Sequence, residues 1–178
     1  MKEVAFESLL TGFKEIIILV GVPGSGKTTV AEKLVAKGYK RFSADAIRGE
    51  VYGDENIQGE GNYIFNILHH RMTEAFEAGH CIVVDNVNIK SRDRQEFLNK
   101  AFKYNYKSQI WVMSVPLETA LERNKLRERK VPPDVIARMH QGLQAGNIYG
   151  SHVKITNIDE PKFFVVKNVM PSGVATNG

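Results

Sequence analysis

A single cysteine, Cys81, stands in the 178 residues. One thiol cannot form an intramolecular bridge, so a disulfide framework is excluded and a reducing, cytoplasmic setting is expected. Long apolar runs are also lacking, and none approaches the about 20 residues that cross a bilayer. The first run, Ile16 to Val20, is too short for a signal peptide and follows Lys14 and Glu15 directly. No membrane partner is expected. Internal repeats, low-complexity tracts and linker-like stretches are absent as well. Charge of one sign is scarce: 24 Lys and Arg against 20 Asp and Glu leave a net +4. That value is compatible with a polyanionic partner without demanding one. Cysteine and histidine fall in no metal-ligand spacing. The adjacent His69 and His70 read as core or surface histidines on a helix, one toward the sheet and one toward solvent.

What is present is an ordinary globular composition, 43% hydrophobic and 25% charged. The length suits one domain with a real core. Strand-like and helix-like stretches alternate. Ile16 to Val20 is continuously apolar, as in a strand buried on both faces. Val30, Ala31, Leu34 and Val35 follow at helical spacing, with Gly38 at the helix end. Lys40 to Ser43 predicts a second strand, and Ile64 to Phe76 a long helix ending near Gly79. Cys81 to Val84 predicts a third strand. Ser91 is the expected N-cap of a helix burying Phe97, Leu98, Ala101 and Phe102. Ile110 to Val115 predicts a fourth strand, with a helix from about Leu117. Pro132 and Pro133 open a further helix, and Phe163 to Val166 reads as a last strand. The alternation implies a parallel sheet of four to five strands with helices on both faces. Residues 1–170 form the expected single domain, with a frayed tail over 171–178. Ligands of such sheets bind at the carboxyl ends of the strands, where Gly21, Asp45 and Asp85 should gather.

Gly21-Val22-Pro23-Gly24-Ser25-Gly26-Lys27-Thr28 fits the phosphate-loop pattern without a mismatch, between a strand and a helix. Glycines let successive N–H groups curl around phosphate oxygens. Lys27 brings an ammonium to the outer phosphates, the Thr28 hydroxyl can join Mg²⁺, and Thr29 continues the helix N-terminus that favours negative charge. The fold expected is therefore of the P-loop NTPase type, binding ATP or another nucleoside triphosphate.

Three further clusters bear on what the loop serves. Asp45 and Arg48 sit one turn apart at the start of a helix. They serve either as an acid-base partner for a hydroxyl with a cation beside it, or as an N-cap and a surface charge. Arg123, Arg127 and Lys130 recur at i, i+4, i+7 in a basic run that stops at Pro132. Such a run closes over a migrating phosphoryl group as a mobile lid, or is a solvated helix face. Asp85, Asn86 and Asn88 follow the third strand. The carboxylate can hold magnesium through water, the amides can hold a substrate phosphate or sugar, and the alternative is a side-chain-bonded turn. Arg92 and Arg94 either contact a nucleic-acid backbone or are surface charge, and Trp111 reads as core.

Together these clusters resemble the polynucleotide 5′-kinase family, over about Ile17 to Leu143. The resemblance rests on the GSGKT loop, the Asp45-x-x-Arg48 pair, Val83 to Asn88, and Glu122-Arg123-Asn124 through Val135. It implies that Lys27 and Thr28 serve the donor phosphates and magnesium. It implies Asp45 as general base for a 5′-hydroxyl, with Arg48 on the acceptor's adjacent phosphate. Asp85, Asn86 and Asn88 would line the acceptor channel, and Arg127, supported by Arg123, would clamp the moving phosphate. The segment from Arg127 to Pro132 is slightly shorter than the family's, which brings Arg129 into contention for the same role. No D-x-D-G segment follows, so 3′-phosphatase activity is not expected. The expected function is Mg²⁺-dependent transfer of the γ-phosphate of ATP to 5′-hydroxyl ends of DNA or RNA. A small-molecule kinase and a nucleotide-gated binding module are the alternatives.

Overall fold

The computed structural model describes residues 14–145 and 162–174. Its centre is β1 (Glu15–Val20), every residue of which is buried. With β2 (Lys40–Phe42), β3 (Ile82–Val84), β4 (Lys107–Ser114) and β5 (Lys162–Val166) it forms one sheet in the order β2-β3-β1-β4-β5. β1 runs parallel to both neighbours, with Ile17 opposite Val83 and Gln109. β2 is parallel to β3.

Side chains of a strand alternate between faces, and β1 feeds two cores. Ile16, Ile18 and Val20 pack with Ile64, Leu68 and Met72 of α3 (Gly61–Glu77) and Phe97 and Leu98 of α4 (Ser91–Lys103). Ile17 and Leu19 pack on the other face with Val30, Ala31 and Leu34 of α1 (Lys27–Ala36), and with Trp111. Burying each such aliphatic side chain contributes about 1.5–3 kcal/mol before conformational entropy is counted. A charged residue at Ile17 or Ile18 would therefore break the domain rather than trim it. A third, smaller cluster of Val22, Val115, Ala120 and Ile136 ties α5 (Leu117–Lys125) and α6 (Pro133–Ala145) to the phosphate loop. Among the described residues no helix is long and apolar enough to cross a membrane.

Four differences from the sequence reading have physical causes. β5 is antiparallel to β4, Met113 facing Phe163 and Ser114 facing Lys162. An antiparallel edge strand on a parallel sheet is common, and apolar content does not encode direction. Ser91 is not an N-cap: Lys90 holds that place and makes no side-chain capping bond. Asp45 is not an N-cap: the expected helix there, α2 (Ala44–Tyr52), is capped by Ser43 Oγ on the Ala46 N–H and stopped by Gly53 at φ 72°. Of the tail expected to fray, residues 171–174 are described: Pro171 is buried, and the Ser172 N–H bonds Gln95 Oε1 at 2.8 Å. Residues 175–178 lie outside the described residues.

Candidate active site

The carboxyl ends of β1 to β4 open into a cleft of about 1510 Å³. Eight lysine and arginine side chains line it against three carboxylates, Asp45, Glu55 and Asp85.

The phosphate loop fills one end. Gly24 and Gly26 take φ of 82° and 96°, which a residue with a Cβ adopts only under strain. A Cβ on Gly24 would also lie 2.7 Å from the Ala120 carbonyl oxygen, so the loop rests directly on α5. The Gly21 N–H bonds the Val87 carbonyl at 3.1 Å, which ties the loop to the segment after β3. Gly26 caps α1 without any side-chain bond, leaving the first helical N–H groups for a ligand. Lys27 Nζ donates to the Val22 carbonyl at 3.0 Å. Burial pushes its ammonium down to about 8 and the nearby Arg127 adds to that, while Asp85 and Asp45 oppose it. An anion bound beside this ammonium would raise that value again.

Asp85 stands beside Thr28, whose Oγ1 lies 3.3 Å from Asp85 Oδ2. Arg41 holds the same oxygen through Nε at 2.9 Å and Nη2 at 2.6 Å. Hydroxyl and carboxylate oxygens are the ligands Mg²⁺ takes, and this ion is usually held by one or two such groups plus phosphates. The donor set fits. Among the described residues no group of three or more His, Cys, Asp or Glu could hold a metal without the substrate. Asn86 Oδ1 accepts the Ala44 N–H at 2.9 Å and so pins the start of α2.

That pinning aims Asp45 across the cleft. Asp45 Oδ1 is 2.7 Å from Arg48 Nη1 and 2.5 Å from Arg129 Nη1. Arg123 Nη1 donates to the Gly24 carbonyl at 3.2 Å. Arg127 lines the cleft and acts electrostatically on Lys27. Of the two candidate lid arginines, Arg129 is the one paired with the acid, while Arg127 lines the cleft near enough to Lys27 to lower its pKa. The basic run is not one helical stripe, because α5 ends at Lys125 and the cations beyond it ride on a turn. Buried Asn124 closes that turn, donating from Nδ2 to the Val131 carbonyl at 2.8 Å and accepting the Val131 N–H at 3.0 Å.

Two expectations are corrected. Asn88 does not face the cleft: it is buried at φ 52°, and its Nδ2 donates to the Leu19 carbonyl at 2.8 Å. Arg94 is also buried, its Nη1 donating to the carbonyls of Asn88 at 2.8 Å and Ile89 at 2.6 Å. Both brace the loop that carries Asp85, and a polar side chain on an irregular loop is often spent this way. Trp111 is core. His69 is half-buried against Glu96 and Phe97, and His70 is exposed.

Sequence reasoning gives no site role to Arg41, Asn124, Glu55 or Phe163. Arg41 was hidden because its pairing opposite Val83, which brings it to Asp85, is a fact of the sheet. Phe163 reaches the cleft only because β5 runs backwards. Among the described residues five side chains hold a buried polar atom without a partner. Four of them, Ser25, Arg48, Asn86 and Ser114, line this cleft. Orphaned polar atoms gathered at one place are what a polar ligand satisfies.

A family profile described as AAA domain matches residues 16–145. Among curated relatives, the "Putative bifunctional polynucleotide kinase/RNA ligase" of Autographa californica nuclear polyhedrosis virus is 28% identical over 162 residues, 82% of this chain and 23% of that protein. The "L-seryl-tRNA(Sec) kinase" of Methanococcus maripaludis is 28% identical over 71% of this chain and 51% of that protein. The chain thus spans about a quarter and about half the length of these relatives. Of solved structures, a chain of the Pnkp1/Rnl/Hen1 RNA repair complex shares the fold with TM-score 0.70 and 17% identity, over 96% of this chain and 53% of that one. A gluconokinase from Sinorhizobium meliloti 1021 does so with TM-score 0.54 and 20% identity, over 79% of each chain. With its phosphate loop on residues 21 to 28 and the profile covering most of its length, the chain belongs to the AAA domain family as a P-loop kinase domain.

Proposed function

We propose that this domain transfers the γ-phosphoryl group of ATP to the 5′-hydroxyl end of a nucleic acid. One observation carries the reading: Asp45, held between Arg48 and Arg129, shares a single cationic cleft with the phosphate loop. The excess of cations around the acid suits an acceptor that is itself an anion. The named activity of the viral relative supports the choice of acceptor.

In this reading the loop N–H groups and Lys27 hold the β- and γ-phosphates. Thr28 and Asp85 would hold Mg²⁺, which supplies positive charge against the phosphate oxygens. Arg48 binds the phosphate that follows the terminal nucleoside, and Asp45 takes the proton of the 5′-hydroxyl as its oxygen attacks. The new O–P bond forms while the bond from the γ-phosphorus to the bridging oxygen breaks, and that electron pair leaves on ADP. Arg127, with Arg123 behind it, spreads positive charge over the migrating group. Asn86, whose Nδ2 is buried without a partner, would meet the acceptor.

The test is to offer γ-labelled ATP with 5′-hydroxyl oligonucleotides, nucleosides and sugars in parallel. Label on the oligonucleotide supports the reading. Label on nucleosides or sugars alone makes the protein a small-molecule kinase, and ATP binding without transfer makes it a nucleotide-gated module.

A further inference from the structure

Asp45 and Asp85 are each neutralised by arginine, whereas Glu55 makes no ion pair or hydrogen bond among the described residues although it lines the same cationic cleft. Its position is built. The loop after α2 leaves through Gly53 at φ 72° and returns through Gly59 at φ 52°. Gly59 is pressed so closely on Tyr52 that an added Cβ would lie 2.2 Å from the phenol oxygen. Between them Asp54 Oδ1 accepts from the N–H and Nδ2 of Asn56 at 2.8 and 2.9 Å. The loop therefore folds back along α2, and the Glu55 side chain lies over Gly49, whose added Cβ would be 3.1 Å from Glu55 Cγ. Gly49 is four residues after Asp45, on the same face of the helix and about 6 Å along it. The glycine leaves the room that Glu55 occupies.

Glu55 is exposed at the cleft, and a bare carboxylate repels phosphate, so any part of a bound polyanion that it touches is a neutral one. It accepts hydrogen bonds and donates none. A polynucleotide end offers it two kinds of neutral donor, sugar hydroxyls and base amino groups. Amino groups change with the base, but the 2′-hydroxyl stands at a nearly fixed distance from the 5′-oxygen whatever the base. One helical turn from Asp45 is comparable with that span. Resting on the 5′-kinase reading above, we propose that Glu55 accepts a hydrogen bond from the 2′-hydroxyl of the acceptor's terminal nucleotide, so that the site selects RNA ends over DNA ends.

The test compares kcat/KM for two 5′-hydroxyl oligonucleotides that differ only in a 2′-hydroxyl or 2′-hydrogen on the terminal nucleotide. The wild-type protein should favour the ribose end by roughly ten- to a hundredfold, the effect of one hydrogen bond to a charged group. Glu55→Ala should bring the ratio toward one, with the loss falling on the ribose end. Gly49→Ala, which favours the helix but crowds Glu55, should shrink the ratio in the same direction. Equal rates on both ends in the wild type, or a preference that survives in both variants, overturns the proposal while leaving the kinase reading intact. A wild-type protein that phosphorylates neither end overturns both.

Discussion

Arg129 Nη1 lies 2.5 Å from Asp45 Oδ1, so the turn after α5 reaches across the cleft to the acid on α2. Arg127, two residues earlier on that turn, acts instead on the loop lysine. The two arginines therefore separate in kinetics. Arg127→Ala is expected to lower kcat about a thousandfold, as removal of a transition-state arginine does, with a smaller change in KM for the acceptor. Arg129→Ala should act chiefly on the acceptor's KM. Steady-state kinetics with each substrate varied will show the split. A larger kcat loss at Arg129 would exchange the two roles.

Lys27 gives the site a pH signature. Its ammonium is pushed down to about 8 from 10.5, chiefly by burial. Bound triphosphate favours the charged form, so nucleotide binding raises that value again. Below about pH 8 the lysine is already protonated and affinity for ATP should be flat. Above it a proton must be taken up on binding, and affinity should fall by up to about tenfold per pH unit. In the nucleotide-free protein the depressed value means that charged Lys27 costs stability below about pH 8. That cost is relieved as pH rises toward the unfolded value of 10.5. Calorimetry in buffers of different ionisation enthalpy measures the uptake directly. Lys27→Ala should lose both the pH dependence and most of the ATP affinity.

Asn124 holds the arginine-bearing turn through its two bonds to Val131. Asn124→Ala leaves the Val131 amide and carbonyl unpaired, a cost of about 1–3 kcal/mol each if they stay buried. The turn should open, lowering transfer while ATP affinity changes little. Amide hydrogen exchange across residues 124–132 will report the opening. Unchanged protection there, with normal transfer, would show that the turn is held by other contacts.

Much of this is legible in the sequence. The run Ile16 to Val20 is apolar at every position because both faces of β1 are covered. The phosphate loop is local, with glycines, lysine and threonine contiguous in the chain, so its geometry follows from its sequence. Asp45 and Arg48 are also local, and they form the expected pair on α2. Partners far apart in sequence were not legible. Arg41 meets Asp85 through pairing of β2 with β3, and Arg129 meets Asp45 through the packing of α5 and α6 beside the loop. Asn88 and Arg94 were misread for the opposite reason: polar side chains near a site look available until burial shows that they bond the backbone.

The most direct test of the account sets Asp45→Asn beside the wild type, with label transfer from ATP to a 5′-hydroxyl oligonucleotide and ATP affinity measured on the same preparations. Asparagine keeps the shape but cannot take the proton, so transfer should be lost while ATP binds nearly as before. Transfer at the wild-type rate by Asp45→Asn would contradict the assignment of Asp45 as base and, with it, the account of this cleft.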